Sequence, residues 1–116
     1  MSDCIFCKLA SHEIPTNVVY EDDEMFCFYD MEPQAPVHVL LIPKKHIESL
    51  DDLKEEDQVL VGHMMLKIKE IAKKLELKDG YRVVSNNGSL AGQTVKHLHF
   101  HILGQREMKW PPGWFK

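Results

Sequence analysis

The sequence predicts an α+β fold, an antiparallel sheet with one long helix and a short N-terminal helix. Three observations predict it. Runs rich in β-branched and aromatic residues recur between turn-forming clusters, at residues 18–20, 25–29, 37–42 and 81–84. One stretch of helical periodicity separates the first three runs from the last, which suggests strands joined by short turns with helices on one face of their sheet. Three histidines then stand at alternate positions, His97, His99 and His101, interleaved with Leu98, Phe100 and Ile102. Period-two alternation puts the imidazoles on one face of a strand and the apolar residues on the other.

Taken in order, Cys4 to Leu9 is a short apolar segment, one helical turn at most, ended before Ile14-Pro15 because proline disfavours helix in the residue before it. Residues 18–20 and 25–29 form a hairpin across the acidic turn 21–24. Pro33 and Pro36 bracket a loop, and the strand at 37–42 stops at Pro43. The long helix is expected to start at Asp51 or Asp52, with Glu55 as capping-box partner. Its apolar stripe, Leu60, Met64, Ile68, Ile71 and Leu75, faces the sheet, Lys73 and Lys74 suit its C-terminal dipole, and Gly80 stops it just beyond Leu77. His63 is assigned to its surface. Residues 81–84 supply the fourth strand, 85–92 a glycine-containing loop, and 95–103 the histidine strand.

The 116 residues, 44% of them hydrophobic, suit one domain spanning 1–116 with its own core. A net charge of −4 argues against a protein held on nucleic-acid backbones, while leaving room for a small phosphate ester gripped by local donors. No apolar run is long enough to span a bilayer, and the first residues lack a signal-peptide pattern. With three cysteines, Cys4, Cys7 and Cys27, an odd and sparse set, the expected compartment is the cytoplasm. Cys27 is assigned to the core.

Aligned imidazoles cost solvation and repel one another once protonated, so such a face points to chemistry. Alternate residues lie roughly 6.6 Å apart along a strand, and i to i+4 roughly 13 Å, so three in one straight strand hardly share an ion. A catalytic row suits them better, because imidazole serves near neutral pH as nucleophile, general acid and anion donor. Upstream, Asn86-Asn87-Gly88 and Gly92-Gln93-Thr94 offer N–H groups, an amide and a hydroxyl to a phosphate; a loop that merely reverses the chain would look similar.

The run 95–103 (VKHLHFHIL) fits the pattern H-φ-H-φ-H-φ-φ, with φ apolar, and through it the chain resembles the Hint branch of the histidine-triad (HIT) superfamily. Ile5-Phe6, Glu13-Ile14-Pro15, Tyr20-Glu21-Asp22, Gln34-Ala35-Pro36, Ile42-Pro43-Lys44-Lys45-His46, Gly92-Gln93-Thr94 and Trp110-Pro111-Pro112-Gly113 extend the resemblance nearly end to end. Gly104-Gln105 stands where the similar diadenosine-polyphosphate hydrolases usually carry Pro-Arg. The resemblance implies a HIT-like sheet joined to a partner's across a dimer two-fold. It also implies hydrolysis of purine nucleoside phosphoramidates or mixed adenylates to a nucleoside monophosphate and an amine, with no cofactor required for the chemistry.

By the same resemblance His99 is the nucleophile, forming a nucleotidyl-imidazole intermediate; a backbone carbonyl should hold its Nδ1–H and leave Nε2 free. His101 and Asn86 are implied to donate to the phosphoryl oxygens, with Gly92, Gln93 and Thr94 closing round them and His38 supporting His97. Asp30 is implied to accept both ribose hydroxyls, and Ile5, Phe6, Leu9, Phe28 and Leu40 to line the purine slot. Thr94 departs from the serine more usual in the branch, keeping the hydroxyl but restricting χ1.

Cys4-Ile5-Phe6-Cys7 reads either as two thiols buried in an apolar turn or as half of a tetrahedral zinc site. A redox role is disfavoured, because no strand precedes the pair. In some bacterial proteins that the chain resembles, structural zinc is held at positions matching Cys4, Cys7, His46 and His97. Trp110, Trp114 and Phe115, large apolar groups beside prolines, predict an oligomer, which the resemblance implies is a homodimer with Trp110 of each subunit near the other's triad. Two alternatives to the enzyme remain at this level: a purine-nucleotide-binding scaffold with vestigial catalysis, and a His-x-His catalytic metal site.

Overall fold

Five short strands pair antiparallel in the order β1-β2-β3-β5-β4: β1 (Val18–Glu21), β2 (Met25–Tyr29), β3 (Val37–Pro43), β4 (Tyr81–Val84) and β5 (Phe100–Gly104). The computed structural model describes residues 3–112, so Trp114 and Phe115 lie outside the described residues. Two helices accompany the sheet, α1 (Ile5–Ala10) and α2 (Gln58–Lys74). The α+β architecture expected from the sequence is therefore present, with the hairpin, the third strand and the fourth strand within a residue of their predicted bounds.

Alternation along the strands sorts the core into two layers. Met25, Cys27, Val39, Leu41, Phe100 and Ile102 point to the side covered by α2, where Met64, Ile68 and Ile71 are buried and Leu60 and Leu75 pack at the margin. The intervening Phe26, Phe28, Leu40 and Ile42 point the other way, onto Phe6, Leu9 and Ala10 of α1. Helices thus cover both faces, not one. That is why β2 from Met25 to Phe28 and β3 from Val39 to Pro43 are apolar without a break, as strands buried on both sides must be. Cys27 sits in the α2 layer with 0% exposure, and burial pushes its thiol up to about 12.

The long helix begins later than Asp51 or Asp52. Ser49 Oγ accepts the Asp51 N–H, turning residues Leu50–Asp52 into a short 3₁₀ element, and Leu53 and Lys54 are extended. A second 3₁₀ turn, Glu55–Asp57, leads into α2; Asp57 accepts from the Lys54 N–H at 2.9 Å and from Lys45 Nζ at 2.6 Å. Serine and aspartate side chains competing for backbone donors delay the helix by about two turns. Its exit also differs. Glu76 takes the left-handed conformation (φ 62°), the Leu77 N–H returns to the Ala72 carbonyl, and Gly80 follows the end instead of making it. Leu77 then lies over Gly104, where a Cβ would meet its side chain at 2.6 Å.

The histidine strand is shorter than predicted. The ladder between β3 and β5 starts only at Leu41 and Phe100, and residues 95–99 run irregularly beside it. The Leu98 N–H donates to Ile47 in the loop after β3, and the His97 N–H to Val95. Alternation survives the irregularity. Leu98 still joins Phe100 and Ile102 under α2, and the imidazoles lie on the α1 side. His63 is exposed on α2, bonded to Glu24 at 2.7 Å, as its surface assignment requires.

Candidate active site

Beyond Ile42 the third strand ends in Pro43, whose carbonyl takes the Nε2–H of His97 at 2.8 Å. A carbonyl only accepts, so the proton is fixed on Nε2 and Nδ1 keeps a bare lone pair. Burial, with His46 and His99 adding to it, pulls the pKa of His97 to about 4 against the opposing influence of the Pro43 carbonyl. The ring is neutral at physiological pH. Its Nδ1 faces Cys4 Sγ at 3.3 Å, Cys7 Sγ at 3.6 Å and His46 Nδ1 at 3.2 Å, while Cys7 Sγ lies 3.3 Å from His46 Nδ1.

Those four residues meet because Cys4 caps α1. Its backbone is extended and its sulfur accepts the Cys7 N–H at 3.4 Å, which turns both thiols toward the loop carrying His46. Zinc with Zn–S near 2.3 Å and Zn–N near 2.0–2.1 Å sets ligand-to-ligand edges of roughly 3.3–3.8 Å in a tetrahedron. The four contacts given above match that spacing, and all four donor atoms lie within 4.8 Å of one another. The chemistry of the donor set fits as well. Burial and the adjoining Cys4 thiol push Cys7 up, an arrangement that two thiolates tolerate only around a cation.

One residue on, the backbone of His97 serves the next histidine. Its carbonyl accepts the Nδ1–H of His99 at 2.7 Å, leaving Nε2 of His99 as the bare nitrogen. The edge of Phe6 packs on that ring with centroids 5.1 Å apart, fixing its plane. Every buried side-chain N or O among the described residues has a hydrogen-bond partner, so the unbonded Nε2 is one that solvent or a ligand can reach.

His101, on β5, is organised from its other side. The backbone N–H of Gln34 donates to Nδ1 of His38 at 3.0 Å, which forces the His38 proton onto Nε2. That N–H points at Nδ1 of His101, 2.9 Å away, so His101 in turn carries its proton on Nε2. His38 therefore supports His101, not His97 as expected; their rows on β3 and β5 are neighbours, whereas His97 lies past the end of the ladder. Asp30 Oδ2 stands 3.4 Å from His38 Nε2, and its Oδ1 takes the Glu32 N–H. Burial, followed by His99 and His38, brings His101 to about 4 although Asp30 opposes the drop; burial lowers His38 likewise.

Other predicted site residues divide. Phe6, Leu9, Phe28 and Leu40 are gathered in one buried layer beside the histidines, but Ile5 is 47% exposed and faces a different cleft. That cleft, about 640 Å³, is lined by Cys4, His46, Thr94 and Lys96. Gln93 turns inward: its amide donates to the carbonyls of Glu48 and Val95 and accepts the Gly88 N–H. The N–H groups of Gly92 and Gln93 are spent within their own turn, which Gly92 closes at φ 94°. They frame the loop instead of wrapping an anion. Asn86 and Trp110 share a cleft of about 790 Å³ with Ser85, Ala91 and Met108 in this same chain, and Trp110 is 81% exposed. Sequence reasoning missed the Gln34 N–H, because a backbone donor carries no residue signature.

A family model described as the HIT domain matches residues 11–108, which contain the whole histidine row with His38 and Pro43, which bond to it, and Gln34, which bonds to His38. The chain belongs to the HIT family. This HIT-domain chain is 55% identical over 111 residues to an uncharacterized HIT-like protein of Synechocystis sp., covering 96% of this chain and 97% of that one. Among solved structures it is similar to a HIT family hydrolase from Legionella pneumophila, with a TM-score of 0.93, 47% identity, and coverage of 95% and 99% of the two chains. A histidine triad protein from Clostridium difficile matches with a TM-score of 0.90 and 46% identity, over 94% and 96%.

Proposed function

We propose that this HIT-family protein is a Hint-type hydrolase of purine nucleoside phosphoramidates, acting through a nucleotidyl-histidine at His99. The observation that carries the reading is the pair of opposed tautomers: His99 presents a bare Nε2, and His101 beside it, at 5.0 Å between ring centroids, presents an Nε2–H. One is a nucleophile and the other a donor, as displacement at phosphorus requires. The hydrolase name of the Legionella structure supports the reaction class.

In the first step the Nε2 lone pair of His99 bonds to the α-phosphorus while the P–N bond to the amine breaks, its electron pair leaving on nitrogen. That nitrogen takes a proton from solvent, relayed in this reading by the Thr94 hydroxyl, the group the family resemblance implies for that role. His101 donates to the phosphoryl oxygen as charge gathers there, and Asp30 takes the ribose hydroxyls. Water then attacks phosphorus and releases a proton to solvent, the P–N bond to Nε2 breaks with its electron pair returning to that nitrogen, and the nucleoside monophosphate leaves with His99 restored. No cofactor enters these steps.

Zinc belongs to Cys4, Cys7, His46 and His97 in this reading, where its charge keeps both thiols as thiolates and ties α1 to the histidine row. A homodimer is supported by the open edge of β4, whose Tyr81 and Val83 are each 40% exposed, and by the exposed Trp110. No helix among the described residues is long and apolar enough to cross a membrane; a reducing cytoplasm suits the free thiols. Covalent trapping tests the function. Protein incubated with an adenosine phosphoramidate labelled in its nucleotidyl group and then denatured at alkaline pH, where a P–N bond to imidazole survives, should retain label in the wild type and none in His99→Ala; undiminished nucleotide binding with no label in either would leave a binding protein.

A further inference from the structure

The donor state of His101 depends on a backbone N–H in an exposed loop, which raises the question of what holds that loop. Residues 30–36 contain Pro33 and Pro36, neither of which has an N–H. Gln34 therefore cannot be replaced as donor by the residue before it, and a slip that brings Pro33 into its place leaves His38 Nδ1 with no partner. The loop's own bonds are local: Glu32 N–H to Asp30 Oδ1, and the Gln34 amide to the Glu32 carbonyl. Its start is anchored on β3 by the Asp30 N–H on the His38 carbonyl, and the bond that takes the Gln34 carbonyl comes from the other end of the chain. Gln105, directly after β5, adopts φ 67° and turns Arg106 back across the loop. Arg106 Nε donates to the Gln34 carbonyl at 2.8 Å while Nη1 donates to the Glu107 carbonyl at 3.0 Å, so the guanidinium is held at both sides.

We propose that Arg106 is a positioning residue: by clamping the Gln34 carbonyl it keeps the Gln34 N–H on His38 Nδ1, and so keeps His101 as an Nε2–H donor. Release of the clamp lets the Gln34 N–H withdraw. His38 is then free to carry its proton on Nδ1, whereupon its bare Nε2 takes the Nδ1–H of His101, and His101 turns a lone pair toward the phosphoryl oxygen instead of a proton. The inversion costs the transition state a donor and adds a repulsion, without removing any group that binds the nucleoside. The expected signature is a fall in kcat at near-constant KM. This inference rests on the reading of His101 as the phosphoryl donor.

The test uses full-length, ¹⁵N-labelled protein in three forms: wild type, Arg106→Met, which keeps the side-chain stem but no donor, and Arg106→Lys, whose ammonium can reach the same carbonyl. Long-range ¹H–¹⁵N correlation at neutral pH reads which ring nitrogens of His38 and His101 are protonated, and turnover of adenosine phosphoramidate is followed in parallel. Wild type should show Nε2–H on both rings. Arg106→Met should show mixed tautomers on both and about tenfold lower kcat with KM changed by less than about twofold, the size of one lost charge-assisted hydrogen bond. Arg106→Lys should recover most of the kcat and the wild-type ring pattern. Unchanged tautomers in Arg106→Met overturn the inference whatever happens to turnover, and altered tautomers with full kcat overturn it too. Should wild type fail to turn over phosphoramidates, the substrate reading falls, while the ring measurement still decides the clamp.

Discussion

Acidification should unfold this protein partly through His101, and the size of that contribution follows from its surroundings. In the folded chain burial, with His99 and His38 beside it, brings His101 to about 4 from an ordinary 6.5. A depressed histidine keeps its full stabilising contribution above the unfolded value and loses it as pH falls toward the folded one, because the unfolded chain binds the proton first. From about pH 7.5 to about pH 5 the loss attributable to this ring is about 2 kcal/mol, rising to about 3 kcal/mol near pH 4. Urea unfolding of wild type and His101→Asn at both pH values isolates it. Asparagine Oδ1 can still accept from His38 Nε2–H, and the contributions of His97 and of His38's own burial cancel in the comparison. Wild type should lose about 2 kcal/mol more than the variant over that interval. Parallel losses in the two proteins would refute the assignment of a buried, neutral ring at this position.

Phe6→Ala, which empties space against Phe28, His97 and His99, should cost about 3 kcal/mol in urea unfolding and lower turnover through a looser His99 ring; wild-type turnover would separate the two effects. The double variant Cys4→Ser, Cys7→Ser should contain no zinc by elemental analysis and melt lower than the protein as isolated, which should hold about one zinc per chain. Isolation without zinc, both thiols being reduced, would remove the metal from the account. Gly104→Ala should destabilise by about 1–3 kcal/mol, since the new methyl meets the Leu77 side chain, and shortening that side chain with Leu77→Val should return part of the loss.

Much of this was legible in the residues because side-chain period is a property of the backbone itself. The alternation of Leu98, Phe100 and Ile102 with the histidines predicted two faces, and the faces persist even where regular pairing does not. A carbonyl on His99 Nδ1 was also expected, from the role that the family resemblance implies for that ring. Boundaries were less legible. A strand from 95 to 103 follows the pattern, but Leu98 finds its acceptor in the Ile47 loop, a tertiary contact that no local signal encodes. The helix start was misplaced because Ser49 and Asp57 both bind nearby N–H groups, and propensity alone cannot say which of several capping residues wins. His38 was assigned to the wrong histidine since sheet register decides which rows adjoin. Gln93 looked like an anion ligand, yet its amide is satisfied first by the Gly88 N–H and Val95 carbonyl of its own loop and by the Glu48 carbonyl of the segment after β3.

His97 engages two neighbours with two different parts of itself, its ring meeting the cysteines and its peptide oxygen meeting the His99 ring, the proposed nucleophile. The two attachments answer to different constraints. Only an imidazole can fill the first, whereas any amino acid supplies a carbonyl for the second. A descendant could therefore abandon both thiols and keep a working nucleophile, provided some other side chain of comparable bulk occupied the vacated space. In a lineage built on this plan, a metal held by the ring and the proposed chemistry at His99 can drift apart over generations, although His97 touches both.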